Sequence, residues 1–118
     1  MKEDKNEKSK LEALKKELSD PLFELTLKKP VEWEGKTYAS FSFDFDSITC
    51  KDSLKVEREM TALGIPVMTQ NGYSRDYLIR IAARCCNETN DAGVFEELGM
   101  RESEKIFMRL RYFLTVAE

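Results

Sequence analysis

The chain contains no histidine. That removes the commonest general base and the commonest transition-metal ligand, and with them every Ser/His/Asp or Cys/His arrangement. Long apolar runs are missing as well: none approaches the ~20 residues that a membrane-spanning helix needs. The amino-terminal stretch has no apolar segment of the kind that marks a secretory signal. Basic residues are not in excess, since the net charge is −3. Non-specific nucleic-acid binding needs a concentrated basic surface, so neither nucleic acid nor membrane is expected as a partner. Glycine is sparse: Gly35, Gly64, Gly72, Gly93 and Gly99 are scattered, and none falls in a GxGxxG or GxxxxGK[ST] pattern. Cysteine numbers only three, an odd count that points to free thiols in a reducing compartment. Together these absences argue for a protein that is not an enzyme and carries no cofactor. Chemistry at Asp, Glu, Tyr or Cys stays open in principle.

What is present fits a soluble domain: 42% of residues are hydrophobic and 35% charged. The organising stretch runs from Pro21 to Phe45. Phe23, Leu25 and Leu27 alternate with Glu24, Thr26 and Lys28. Further on, Ala39, Phe41, Phe43 and Phe45 alternate with Tyr38, Ser40, Ser42 and Asp44. A period of two places each apolar set on one face of a sheet. Glu34-Gly35 offers a reversal, because glycine accepts a positive φ. Pro30 forces pairing beyond it onto an edge, or a restart at Val31. A lone two-stranded hairpin is marginal in water, so its aromatic face must be covered by the helices that follow.

The expected fold class is α+β: an N-terminal antiparallel β-hairpin packed on a small cluster of about four α-helices. Residues 1–20 form a charged extension, with six Lys against six Asp/Glu. Residues 1–9 read as disordered. Leu11, Leu14 and Leu18 mark a short helix over Lys10–Leu18, ended by Asp20-Pro21. Residues 21–118 form a single domain with the hairpin at 22–45 and helices at about 49–63, 75–87, 91–98 and 102–116. Thr49 and Asp52 suggest a capping box, and Gly64 the stop of the first of these helices. Asn71-Gly72 reads as a turn leading into a helix rather than a strand–strand turn. Ser74 is a cap for the next helix, whose wide apolar arc (Leu78, Ile79, Ile81, Ala82, Cys85, Cys86) is expected to cover the hairpin. Asn90 or Asp91 caps the short helix that carries Val94, Phe95 and Leu98. In the last helix, Ser103, Ile106, Leu110, Phe113 and Ala117 line the inner side.

Candidate functional residues are few. Adjacent thiols at Cys85-Cys86 do not have the CxxC spacing of redox or zinc sites, and their place on an apolar arc favours a role as small core residues. Asp44 and Asp46 lack the glycine and further oxygen ligands of a calcium loop. The last helix offers more. Arg101, Lys105 and Arg109 recur every four residues on its polar side, with Glu102 and Glu104 nearby. Met108 and Tyr112 point near that basic stripe, and a Met beside Tyr and Arg is the composition of a protein-binding surface. Trp33 at the hairpin tip is a large ring where a monomer gains little from it. Partner binding is therefore expected at Trp33, Arg101, Lys105, Met108, Arg109 and Tyr112.

The order of features resembles the phage tail assembly chaperones, small proteins encoded beside the tape-measure gene of contractile-tailed phages and prophages. The signature residues are Leu25-Thr26-Leu27-Lys28-Lys29-Pro30-Val31, then Gly35-Lys36-Thr37-Tyr38 opening the second strand. A later pattern has counterparts in Phe95, Leu98, Ile106 and Phe113-Leu114, with Glu102 and Glu104 near its acidic position. The resemblance implies a non-enzymatic chaperone in the host cytoplasm. It would bind the tape-measure protein, keep it soluble and help tail-tube protein assemble around it. Such families often make a longer product by frameshifting. A generic interaction adaptor or regulatory protein of a mobile element is the competing expectation, and a small thiol-dependent enzyme the more distant one. A homo-oligomer, dimer or ring, is permitted by the aromatic hairpin and the spare N-terminal helix.

Overall fold

Alternating apolar residues set the hairpin. Strand β1 (Leu22–Trp33) pairs antiparallel with β2 (Lys36–Asp44) in a computed structural model that describes the backbone of residues 2–116 and the side chains of residues 7–116. Met1 and Ala117, for which disorder and an inward position were expected, lie outside the described residues. Cross-strand partners Phe23↔Phe43 and Leu25↔Phe41 put their side chains on one face. Glu34 and Gly35 both have positive φ, 49° and 81°, the signature of a primed two-residue turn that matches strand twist. The restart at Val31 is seen directly: Thr26 pairs with Ser40 and Val31 with Tyr38, so Leu27–Pro30 bulge opposite Ala39 alone. The bulge also alters the alternation. Ala39 is exposed, and Tyr38 takes the core side instead, stacked on Phe41 with ring centroids 5.3 Å apart.

The fold is α+β, as expected, and among the described residues the hairpin is preceded by one α-helix and followed by four. Helix α1 spans Lys2–Ser19, longer than the Lys10–Leu18 segment expected. Lys and Glu are good helix formers, so the charged residues continue the helix rather than fray it. After a short 3₁₀ turn at Phe45–Ser47, α2 runs Cys50–Leu63. Its capping box is complete: Thr49 Oγ1 accepts from the Asp52 amide, and Asp52 Oδ2 accepts from the Thr49 amide at 2.9 Å. The Thr49 amide, then the Arg84 side chain, outweigh partial burial and hold the Asp52 carboxyl below its ordinary value. Gly64 ends the helix in the left-handed region.

Asn71-Gly72 belongs to a strand–strand turn after all. Met68–Thr69 (β3) and Gly72–Tyr73 (β4) form a minimal hairpin, with Gly72 at φ 103°. The helical periodicity that argued against a hairpin begins only at Ser74, whose Oγ caps α3 (Arg75–Arg84) by accepting from the Tyr77 amide. Helix α3 stops at Arg84 rather than at 87, because the chain then bends to pair with β2. Asp44 donates to the Cys85 carbonyl at 3.0 Å, and Asn87 to the Ser42 carbonyl at 2.9 Å. The exit of α3 thus covers the outer edge of β2.

Helix α4 is a single turn, Gly93–Glu96, and α5 runs Met100–Thr115. The rings that meet the hairpin's aromatics come from these two helices. Phe95 lies 5.0 Å from Phe41 and 5.9 Å from Phe43, and Phe113 lies 5.5 Å from Phe45. Helix α3 had been expected in that place. It packs instead between α2 and α5, with Leu78, Ile81, Ala82 and Ala83 buried. One apolar cluster joins the hairpin with α2, α3, α4 and α5. Among the described residues no helix is long and apolar enough to cross a membrane.

Candidate protein-binding surface

The last helix has two faces because its apolar residues recur at three and four. Ile106, Phe107 and Leu110 are buried against the core. On the opposite side Arg101, Glu104, Lys105, Met108, Arg111 and Tyr112, reaching Thr115 and Val116, form a shallow, open strip along α5 alone, the α5 groove. Met108 sits mid-groove with 56% of its surface exposed. The structure therefore brings together four of the expected residues: Arg101, Lys105, Met108 and Tyr112. Charges surround the apolar centre. Glu104 pairs with Arg75, Lys105 Nζ lies 3.8 Å from Glu102 Oε2, and Arg111 donates to the Tyr73 carbonyl at 3.2 Å. Arg111 and Glu104 were not foreseen as groove residues. The signal was the heptad-like spacing 101, 104, 108, 111, 115 around Met108, which a search at intervals of four passes over.

Arg109 is placed differently from the expectation. It had been assigned to the exposed stripe, but only 8% of it is exposed. Its guanidinium lies 4.7 Å from the centre of the Phe23 ring and donates to the Asp20 carbonyl at 3.2 Å. A step of four residues advances a helix by about 40° beyond a full turn, so a stripe of three drifts toward the flank. Arg109 is thus a structural tie between α5 and the start of β1, and lies outside the groove.

Trp33 also departs from the expectation of a free ring. Its indole N–H donates to Asp91 Oδ2 at 2.9 Å, and its ring crowds Gly93. A Cβ at Gly93 would stand 2.7 Å from the ring, so glycine is the residue that lets Trp33 pack there. The Trp33 indole, then the Gly93 amide, hold the Asp91 carboxyl below the usual carboxylate range. The hairpin tip is latched to the start of α4, and Trp33 is half-buried in that latch.

The remaining candidates take structural parts. Asp44 Oδ1 accepts from the Asp46 amide and caps the 3₁₀ turn. Cys85 is buried, and its Sγ donates to the Ala82 carbonyl at 3.3 Å. Burial pushes the Cys85 thiol up to about 12 and the Cys86 thiol to about 11. The thiolate is the reactive form, so both groups are held in the inert state at neutral pH. With iodoacetamide at pH 8, the folded protein is expected to modify exposed Cys50 first. Cys85 should react only as fast as the protein opens, and mass spectrometry of the labelled peptides would show it. Rapid modification of Cys85 in the folded state would favour the thiol-enzyme reading.

Compared with known proteins, the chain matches no family model, no curated protein and no solved structure.

Proposed function

We propose that the chain is a phage tail assembly chaperone, acting without catalysis in the host cytoplasm. In this reading it holds a helical segment of the tape-measure protein on the outer face of α5 and hands it to tail-tube protein. The observation that carries the reading is the α5 groove, with an exposed, adaptable Met108 beside Tyr112 and a charged rim. A tape-measure protein exposes apolar helical stripes before the tube covers them, and a helix laid along the apolar strip of another helix is an economical way to mask one. Burying Met108 and Tyr112 contributes about 2 kcal/mol each before the cost of association is subtracted. That suits a client that must be released. The particular client comes from the resemblance of Leu25–Val31 and Gly35–Tyr38 to the chaperone signature.

Capture of the tape-measure protein encoded alongside is the test. Wild-type chain should retain it, and a Met108→Asp, Tyr112→Asp variant should bind at least about tenfold more weakly, since two charges would enter an apolar contact. Circular dichroism establishes that the variant is folded. Undiminished capture by the folded variant would remove the groove from the proposal. Failure of the wild type to capture the protein would remove the function.

A further inference from the structure

Helix α1 touches its own α5 and half-buries Leu18, but leaves the rest of its apolar stripe, Leu11 and Leu14, uncovered. Every residue from 7 to 17 is exposed, with Leu11 at 52% and Leu14 at 49%. Most helical stability in proteins comes from packing of an apolar face, and over Leu11 and Leu14 this helix has none from its own chain, so the stripe gains from a partner. The groove on α5 repeats its spacing. Glu7, Leu11, Leu14 and Leu18 follow one another at four, three and four residues, and so do Arg101, Lys105, Met108 and Tyr112.

We infer that α1 of one chain docks in parallel on the α5 groove of a second copy, forming a dimer by reciprocal exchange. Laid side by side, Glu7 meets Arg101, Leu11 covers the aliphatic stem of Lys105, and Leu14 packs on Met108. At the edge of the seam, Lys15 comes beside Glu104. Reversing the direction loses the pairing of Glu7 with Arg101. The base of α1 is fixed on its own chain by Arg109, which binds the Asp20 carbonyl. Arg109 projects about 100° around α5 from Met108, at one residue's rotation. Only that base of α1 is covered by its own chain, and Leu11 and Leu14 stay exposed for the groove of another copy. Each copy supplies one helix and one groove, and reciprocal exchange between two copies leaves neither unfilled. The inference does not depend on the tail-assembly reading. If both hold, client and second copy exclude one another from the groove.

Sedimentation equilibrium of the full chain without any client tests it. Wild type should be dimeric at about 100 µM, within reach of a modest helix–helix contact. Leu11→Asp with Leu14→Asp should raise the dissociation constant at least about tenfold. Because that variant could also melt α1, a second pair carries the charges. Glu7→Lys with Lys15→Glu should weaken the dimer, and mixing it with an Arg101→Glu, Glu104→Lys chain should restore association in that direction. A monomeric wild type at this concentration overturns the inference, as does a dimer indifferent to both pairs of substitutions.

Discussion

Replacing Phe95 with alanine is expected to destabilise the protein by about 3–5 kcal/mol, the range for removing a buried aromatic ring. Helix α4 is one turn long and has almost no stability of its own, so its position depends on what Phe95 touches. That ring meets Phe41 and Phe43 together, and Phe43 in turn stacks on Phe23 at 5.8 Å. Alanine leaves a cavity at the junction between helix cluster and hairpin, where rigid strands cannot close in. A domain of this size is stable by only about 5–15 kcal/mol, so the loss is a large fraction of the total. Urea unfolding should show a lower midpoint with little change in slope. A loss under about 1 kcal/mol would mean that the core is not joined through Phe95.

Arg109→Ala is expected to cost about 2–3 kcal/mol, combining a hydrogen bond from a charged donor with a desolvated contact over an aromatic face. The substitution frees the Asp20 carbonyl and uncovers Phe23, at the point where α1 joins β1. Arg109→Met is expected to recover only part of that loss, since it keeps the apolar stem over Phe23 but still leaves the Asp20 carbonyl without its donor. Thermal and urea unfolding of both variants separates packing from charge. If alanine left stability unchanged but abolished client capture, Arg109 would be a binding residue rather than a structural tie.

Much of the fold was legible because local rules agreed with the global one. The capping box at Thr49–Asp52, the stop at Gly64 and the cap at Ser74 need only neighbours in sequence, and each is present. The alternation of Phe41, Phe43 and Phe45 gave the inner face of the ribbon. What sequence could not supply were contacts between distant segments. Which helix covers the aromatics depends on how the chain leaves α3, and the pairing of Asp44 with Cys85 decides that. Trp33 looked free because its partner, Asp91, lies 58 residues away. The candidate surface was half visible. Met108 and Tyr112 stood out as apolar residues on a charged face, whereas the fate of Arg109 turned on a ring 86 positions earlier, Phe23.

The bulge at Leu27–Pro30 has a bearing on how the protein survives at high concentration. A ribbon has two raw flanks, and the exit of α3 occupies only the β2 side. The other flank carries Lys28, Lys29 and Pro30, all exposed and lifted out of line with the strand. Two repelling ammonium groups and a ring without an amide hydrogen make a poor template for another strand, so the same distortion that interrupts the ladder guards against fibril growth along it.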